Sequence, residues 1–127
     1  MANRPLKLLL VEDEFLIATL LQRNLRLAGY EVCELTSTGA KAVERAEEER
    51  PDYVLMDVRL AGEMDGIEAA QEIDRRFHIP VIFMTGYADR GRLLEDGGLE
   101  PLAYLVKPVT PKHIQRVIEE HRNGSET

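Results

Sequence analysis

The sequence predicts a single α/β domain, a doubly wound parallel sheet of five strands with helices on both faces. Three observations carry that prediction. Short apolar runs recur along the chain: Leu8-Leu9-Leu10-Val11, Tyr53-Val54-Leu55-Met56, Val81-Ile82-Phe83-Met84 and Ala103-Tyr104-Leu105-Val106. Runs this short suit strands buried on both faces, although periodicity alone does not separate them from helix. Between them lie stretches whose apolar residues recur near the 3.6-residue spacing of an amphipathic helix. Strand and helix patterns therefore alternate, which predicts parallel strands joined by helical crossovers. The third observation is length: 127 residues give room for one core and little for a second. A chain of that size buries roughly two-thirds of its extended-chain surface.

Taken in order, β1 is expected over Leu6–Val11. The helix α1 follows over Phe15–Ala28, with Phe15, Ile17, Leu20, Leu21, Leu25 and Ala28 inward and Gly29 as its stop. β2 spans Glu31–Leu35 and carries Cys33. Thr36-Ser37-Thr38-Gly39 reads as loop and cap. α2 runs from Ala40 to Glu49 with Ala40, Val43 and Ala46 inward, and Pro51-Asp52 breaks it. β3 is Tyr53–Asp57, followed by a glycine-containing loop from Val58 to Gly66. α3 covers Gly66–Phe77 with Ile67, Ala70, Ile73 and Phe77 inward, and β4 covers Val81–Met84. α4 is expected over Asp89–Gly98, a poor helix because Gly91, Gly97 and Gly98 each cost about 1 kcal/mol against alanine. β5 is Ala103–Val106. α5 starts at the cap Thr110 with Pro111 in its first turn and ends near Arg122, leaving 123–127 as a frayed tail. The domain is thus 1–127, with its core over about 6–122.

Composition excludes several functions. The net charge of −7 gives no electrostatic footing for nucleic acid or anionic lipid, so no DNA and no membrane partner is expected. No apolar run approaches the roughly 20 residues of a membrane-spanning helix. The N-terminus lacks the apolar core and cleavage site of a signal peptide. One cysteine cannot form an internal disulfide. Cytoplasm is the expected compartment. His78, His113 and His121 lack metal-ligand spacing and read as surface residues, and Cys33 reads as a small apolar residue.

The chemistry collects at the strand ends. β1 runs into Glu12-Asp13, β3 ends on Asp57, β4 runs into Thr85 and β5 into Lys107-Pro108. Right-handed crossovers bring β1 beside β3, so Glu12, Asp13 and Asp57 are expected to meet at the carboxyl edge, where open α/β sheets bind ligands. Converging carboxylates repel, and either share protons or take up a hard divalent cation such as Mg2+. Lys107 and Thr85 add a point charge and a hydroxyl donor, suited to the oxygens of a transferring phosphoryl group. A carboxylate is itself a competent nucleophile toward phosphorus. Singly, Asp57 reads equally as a turn residue, Thr85 as a cap and Lys107 as a surface charge; together at strand ends they read as a site.

With those residues in place, the chain resembles the receiver domain of two-component response regulators, over about residues 6–122. The resemblance implies the flavodoxin-like strand order 2-1-3-4-5, for which a chemotaxis receiver is itself a standard example. It implies a phosphoryl group arriving on Asp57 from the phosphohistidine of a sensor histidine kinase or a phosphotransfer protein. It also implies a metal, Mg2+ with Mn2+ as the alternative, held by Glu12, Asp13, Asp57 and the backbone carbonyl of Arg59. Lys107 would pair with the phosphate and Thr85 would move to meet it. Tyr104 matches the switch aromatic of the family, and reads equally as a static half-buried ring. The bond between Lys107 and Pro108 would be cis. Signalling would pass through the α4-β5-α5 face to a downstream protein, from a monomer or weak dimer. The chain departs from the commonest pattern in carrying Glu12, in Ala61 where proline is usual, and in a loop after Leu60 one residue longer.

Two other functions compete. A phosphohydrolase of the haloacid dehalogenase type also uses a nucleophilic aspartate and Mg2+, but wants a second acid two residues on, where this chain has Arg59. A receiver-like module that binds partners without phosphate would be expected to lack an acid or the lysine, and this chain lacks neither. The expected activity is therefore limited to the chain's own phosphorylation and dephosphorylation.

Overall fold

Five parallel strands form one sheet in the order β2-β1-β3-β4-β5. The computed structural model describes residues 4–60, 62–86 and 100–124; the expected α4, with Tyr87 before it, and Ala61 lie outside them. The strands are β1 Lys7–Val11, β2 Glu31–Val32, β3 Tyr53–Asp57, β4 Val81–Thr85 and β5 Ala103–Val106. β1 and β3 pair from Leu8↔Tyr53 to Val11↔Met56, so the next residues on each strand, Glu12 and Asp57, leave the sheet side by side. Asp57 in turn lies opposite Met84, which puts Thr85 one step beyond it on the neighbouring strand.

Every residue of β3 and β4 is buried, as is β1 from Leu8 onward. Alternation along the strands sends Leu9, Val11, Val54, Met56, Val81 and Phe83 to one face, against α2 and α3. Leu8, Leu10, Leu55, Ile82 and Met84 go to the other, against Leu21 and Leu25 of α1 and Ile114 and Ile118 of α5. Each fully buried aliphatic side chain contributes about 1.5–3 kcal/mol. The central strands are therefore a firm platform for whatever their ends carry.

The helices differ from expectation in instructive ways. α1 spans Phe15–Leu27, and its buried stripe is Ala18, Leu21 and Leu25. At about 100° per residue these three fall within an arc of about 60°, and Phe15, Ile17 and Leu20 lie outside it. Those three, expected inward, are instead 71%, 43% and 57% exposed, and Leu16 is 82% exposed. Ala28 is the exposed C-cap. α2 spans Gly39–Glu49 with Thr38 as its cap, accepting from the Lys41 N–H at 3.2 Å. Ala40 is exposed, and Ala42 takes the inward place assigned to it. α3 spans Gly66–Phe77 with Ile67, Ala70 and Ile73 buried as expected. Phe77 is only partly buried, held between the guanidinium groups of Arg50 and Arg76 at 4.7 and 4.9 Å. α5 runs from Pro111 to Gly124, so residues 123 and 124, expected in the frayed tail, are helical. Thr110 accepts from the His113 N–H at 3.4 Å. His121, although exposed, shares a 2.8 Å hydrogen bond with the Tyr53 hydroxyl and ties α5 to the start of β3.

β2 is shorter than predicted, two residues in place of five, with a further single bridge between Val11 and Thr36. Two side chains of α1 reach down to its backbone. Arg26 donates to the Val32 carbonyl at 3.0 Å and Gln22 to the Cys33 carbonyl at 3.2 Å. Cys33 is buried, and burial raises its thiol above the ordinary value. No helix among the described residues is long and apolar enough to cross a membrane.

Candidate functional site

Asp57 closes β3 with 4% of its surface exposed. A buried carboxylate needs donors, and among the described residues it has two. Lys107 Nζ stands 2.6 Å from Oδ2, and the Arg59 backbone N–H donates to Oδ1 at 3.1 Å. Glu12, at the end of β1, is 3% exposed. Its Oε2 accepts the Glu14 N–H at 3.1 Å. Its Oε1 lies 2.9 Å from Lys107 Nζ, but is buried and takes no well-aligned hydrogen bond from any described residue. Lys107 is held by its own N–H, which donates to the Thr85 carbonyl at 2.9 Å, and the Lys107-Pro108 peptide bond is cis.

The electrostatics follow from burial and charge. Burial, then the neighbouring Asp57, push the Glu12 carboxyl above its ordinary value, against the opposing pull of Lys107 and the Glu14 amide. For Lys107, burial pulls the ammonium down, but Asp57 and Glu12 outweigh it and hold the group above the usual lysine value. Asp13, exposed, completes the cluster: Glu12, Asp13 and Asp57 each offer a carboxylate oxygen, and these atoms lie within 4.8 Å of one another. Among the described residues three carboxylates face one ammonium, and Lys107 alone cannot balance them when all are ionised. The all-oxygen donor set and the poorly satisfied Glu12 Oε1 fit a hard divalent cation of the Mg2+ type.

The other expected residues are placed differently. Thr85 is fully buried at the end of β4, and its hydroxyl donates to the Gly86 carbonyl at 2.8 Å rather than to a carboxylate. Tyr104 sits two residues back from the end of β5, 45% exposed, its ring stacked on Phe83 with centroids 6.0 Å apart.

Two features were missed in the sequence. Asp65 and Glu68 form a reciprocal capping box at the start of α3, with bonds of 2.9 and 3.1 Å. The D-x-x-E spacing before the apolar run of α3 was the available signal. The second is a groove of about 520 Å3 that opens beside Glu12 and Lys107, lined by Ile17 and Leu20 of α1 and by Pro108, Val109 and Pro111. Exposed apolar residues on α1 border it, and only the narrowness of the buried stripe could have announced them.

Comparison with known proteins agrees with this geometry. The family model of the response regulator receiver domain matches residues 8–119. The transcriptional regulatory protein PdtaR of Mycobacterium tuberculosis is 37% identical over 115 residues, which cover 91% of this chain and 56% of PdtaR. The chain thus spans little more than half of that relative's length. Among solved structures, the receiver domain of a modulated diguanylate cyclase from Desulfovibrio desulfuricans superposes with a TM-score of 0.86 at 34% identity, covering 97% of this chain and 99% of that one. The receiver domain of a sensor histidine kinase from Pseudomonas aeruginosa, solved with a magnesium ion coordinated in its active-site cleft, gives a TM-score of 0.79 at 35% identity, covering 91% and 96%.

Proposed function

This chain belongs to the response regulator receiver domain family, and from that premise we propose that it is a phosphoacceptor switch, with Asp57 as the residue that takes the phosphoryl group. The donor is the phosphohistidine of a sensor histidine kinase or a phosphotransfer protein. The observation that carries the reading is the meeting of Glu12, Asp13 and Asp57 within 4.8 Å, with Lys107 2.6 Å from the nucleophile.

Glu12, Asp13, Asp57 and the Arg59 carbonyl would hold Mg2+ or Mn2+, which when bound would supply positive charge for the phosphoryl oxygens. The residues of the chain do the rest. Asp57 Oδ attacks phosphorus and the donor imidazole departs with the electrons of the broken P–N bond. Lys107 exchanges its bond to Asp57 for one to a phosphoryl oxygen. Thr85 turns its hydroxyl from the Gly86 carbonyl toward the phosphoryl group, and Tyr104 changes its packing on Phe83 in response. The signal leaves through the face around Tyr104 and α5 toward a downstream protein, in the cytoplasm, from a monomer or weak dimer. Catalysis is confined to the chain's own phosphorylation and dephosphorylation, and residues 1–127 act as a single receiver unit.

A donor has to reach an aspartate that is 4% exposed, so its surface must rest on what rings the site. Ile17 and Leu20 of α1 and the Pro108–Pro111 segment offer that support beside Glu12 and Lys107, and Phe15 of α1 offers it on the other flank, beside Glu12 and Asp13. Incubation with acetyl phosphate and Mg2+, read by intact mass, tests the proposal. Wild type should gain one phosphoryl group and Asp57→Ala none. Equal labelling of both, or sustained turnover of an aryl phosphate, would overturn it.

A further inference from the structure

Two glycines grip the segment between Asp57 and α3, and the chemistry above gives neither a role. Gly66 begins α3 and donates its N–H to the Val58 carbonyl at 3.0 Å. A Cβ built on it would stand 1.9 Å from the Asp57 carbonyl oxygen and 3.0 Å from Val58 Cα. Gly39 begins α2 and makes the matching contact from the other side. A Cβ there would stand 2.5 Å from the Met64 carbonyl oxygen and 3.0 Å from Met64 Cγ. Neither glycine has the positive φ that favours glycine, so space rather than conformation excludes a side chain. The nearest atom in each case is backbone, which cannot swing aside as a side-chain tip can.

What these contacts hold is the peptide that aims the nucleophile. The carbonyl that Gly66 touches and the carboxylate that the Arg59 amide steadies at 3.1 Å belong to the same residue. The capping box stiffens the first turn of α3, so a methyl at position 66 would displace that turn as a unit against the exit of β3. A methyl at position 39 would push Met64 and the start of α3 from behind. We propose that Gly39 and Gly66 are positioning residues for Asp57: by letting α2 close on Met64 and the first turn of α3 close on the Asp57-Val58 backbone, they fix the direction of the carboxylate. This rests on the phosphoacceptor reading above and deepens it.

The test compares Gly39→Ala and Gly66→Ala with Gly29→Ala. Gly29 has φ +103° and nothing within 4 Å of a built Cβ, so alanine there strains a remote turn and touches nothing at the site. The readouts are the Arg59 amide proton resonance in metal-free protein, the urea midpoint, and the rate at which acetyl phosphate labels folded protein at saturating Mg2+. Gly39→Ala and Gly66→Ala should shift the Arg59 amide upfield as its hydrogen bond weakens, and slow labelling by about 10- to 100-fold. Gly29→Ala should lower the urea midpoint and leave amide and rate unchanged. If Gly66→Ala does not fold, Gly39→Ala decides the matter, since its overlap lies at Met64 and not at β3. A wild-type Arg59 amide in folded Gly39→Ala, or labelling lost only in proportion to folded protein, would overturn the proposal. Shifted Arg59 amides in the two variants, with a wild-type protein that takes no phosphoryl group, would instead remove the phosphoacceptor reading and leave the positioning role standing.

Discussion

The ammonium of Lys107 lies 2.6 Å from Asp57 Oδ2, and the same nitrogen is 2.9 Å from Glu12, so one cation spans two buried acids from different strands. In the absence of metal, Lys107 is therefore part of the fold's stability as well as its chemistry. Lys107→Met should destabilise the protein by about 2 kcal/mol at neutral pH in metal-free buffer. That is less than the 3–5 kcal/mol of a fully buried pair, because the lysine side chain is 27% exposed. Saturating Mg2+ should narrow the gap by supplying the missing charge. Urea denaturation with and without MgCl2 measures both effects. Equal metal-free stabilities would contradict the bridging role.

Glu12 gives the site a pH dependence of known sign. Burial and the nearby Asp57 raise its carboxyl above the ordinary 4.5. A group raised on folding favours the folded state fully below its unfolded pKa, and that contribution is lost as pH rises through its folded pKa. Glu12→Gln removes the loss. In metal-free buffer the variant should match wild type near pH 4.5 and become progressively the more stable toward neutrality. Its Mg2+ affinity should fall by at least about tenfold. Urea midpoints across pH, with Mg2+ titrations followed by NMR, check the two halves independently. A stability difference that grew toward acid would reverse the assigned sign.

The apolar rim on α1 separates protein donors from small ones. Phe15→Ala combined with Leu20→Ala removes exposed side chains, so stability should change by no more than about 0.5 kcal/mol per site. Labelling by acetyl phosphate should be unchanged, because that donor needs no docking surface. Transfer from a phosphorylated protein donor should slow by about tenfold or more, as expected when side chains central to an interface are truncated. Stopped mixing of donor and receiver, quenched and resolved on a gel, gives the rate. If protein and small donors responded alike, the rim would have no part in docking.

The strand ends were legible because two simple rules act there without competition. Buried parallel strands read as short apolar runs, and the residue after each run lands on one rim, which is how Glu12, Asp57 and Lys107 were found. The inner faces of the helices were less legible. On α1 apolar residues nearly encircle the helix, so periodicity could not say which would face the sheet; Ala18, the smallest, lies under it while Phe15 and Leu20 stay in solvent. The same limit misplaced Ala40 for Ala42 on α2. β2 was overestimated because its apolar residues pack without completing a ladder beyond Val32. The hydroxyl of Thr85 was expected from its position, but its bond to Gly86 depends on a rotamer that no sequence pattern encodes.

The reach of Arg26 down to β2 bears on how this domain can meet others. An incoming strand at that margin would find the Val32 oxygen already engaged by Arg26, with that long side chain across its path. Stacking of sheet on sheet through β2 is thereby discouraged, which guards against edge-to-edge aggregation. Association along that flank is left to helical surfaces.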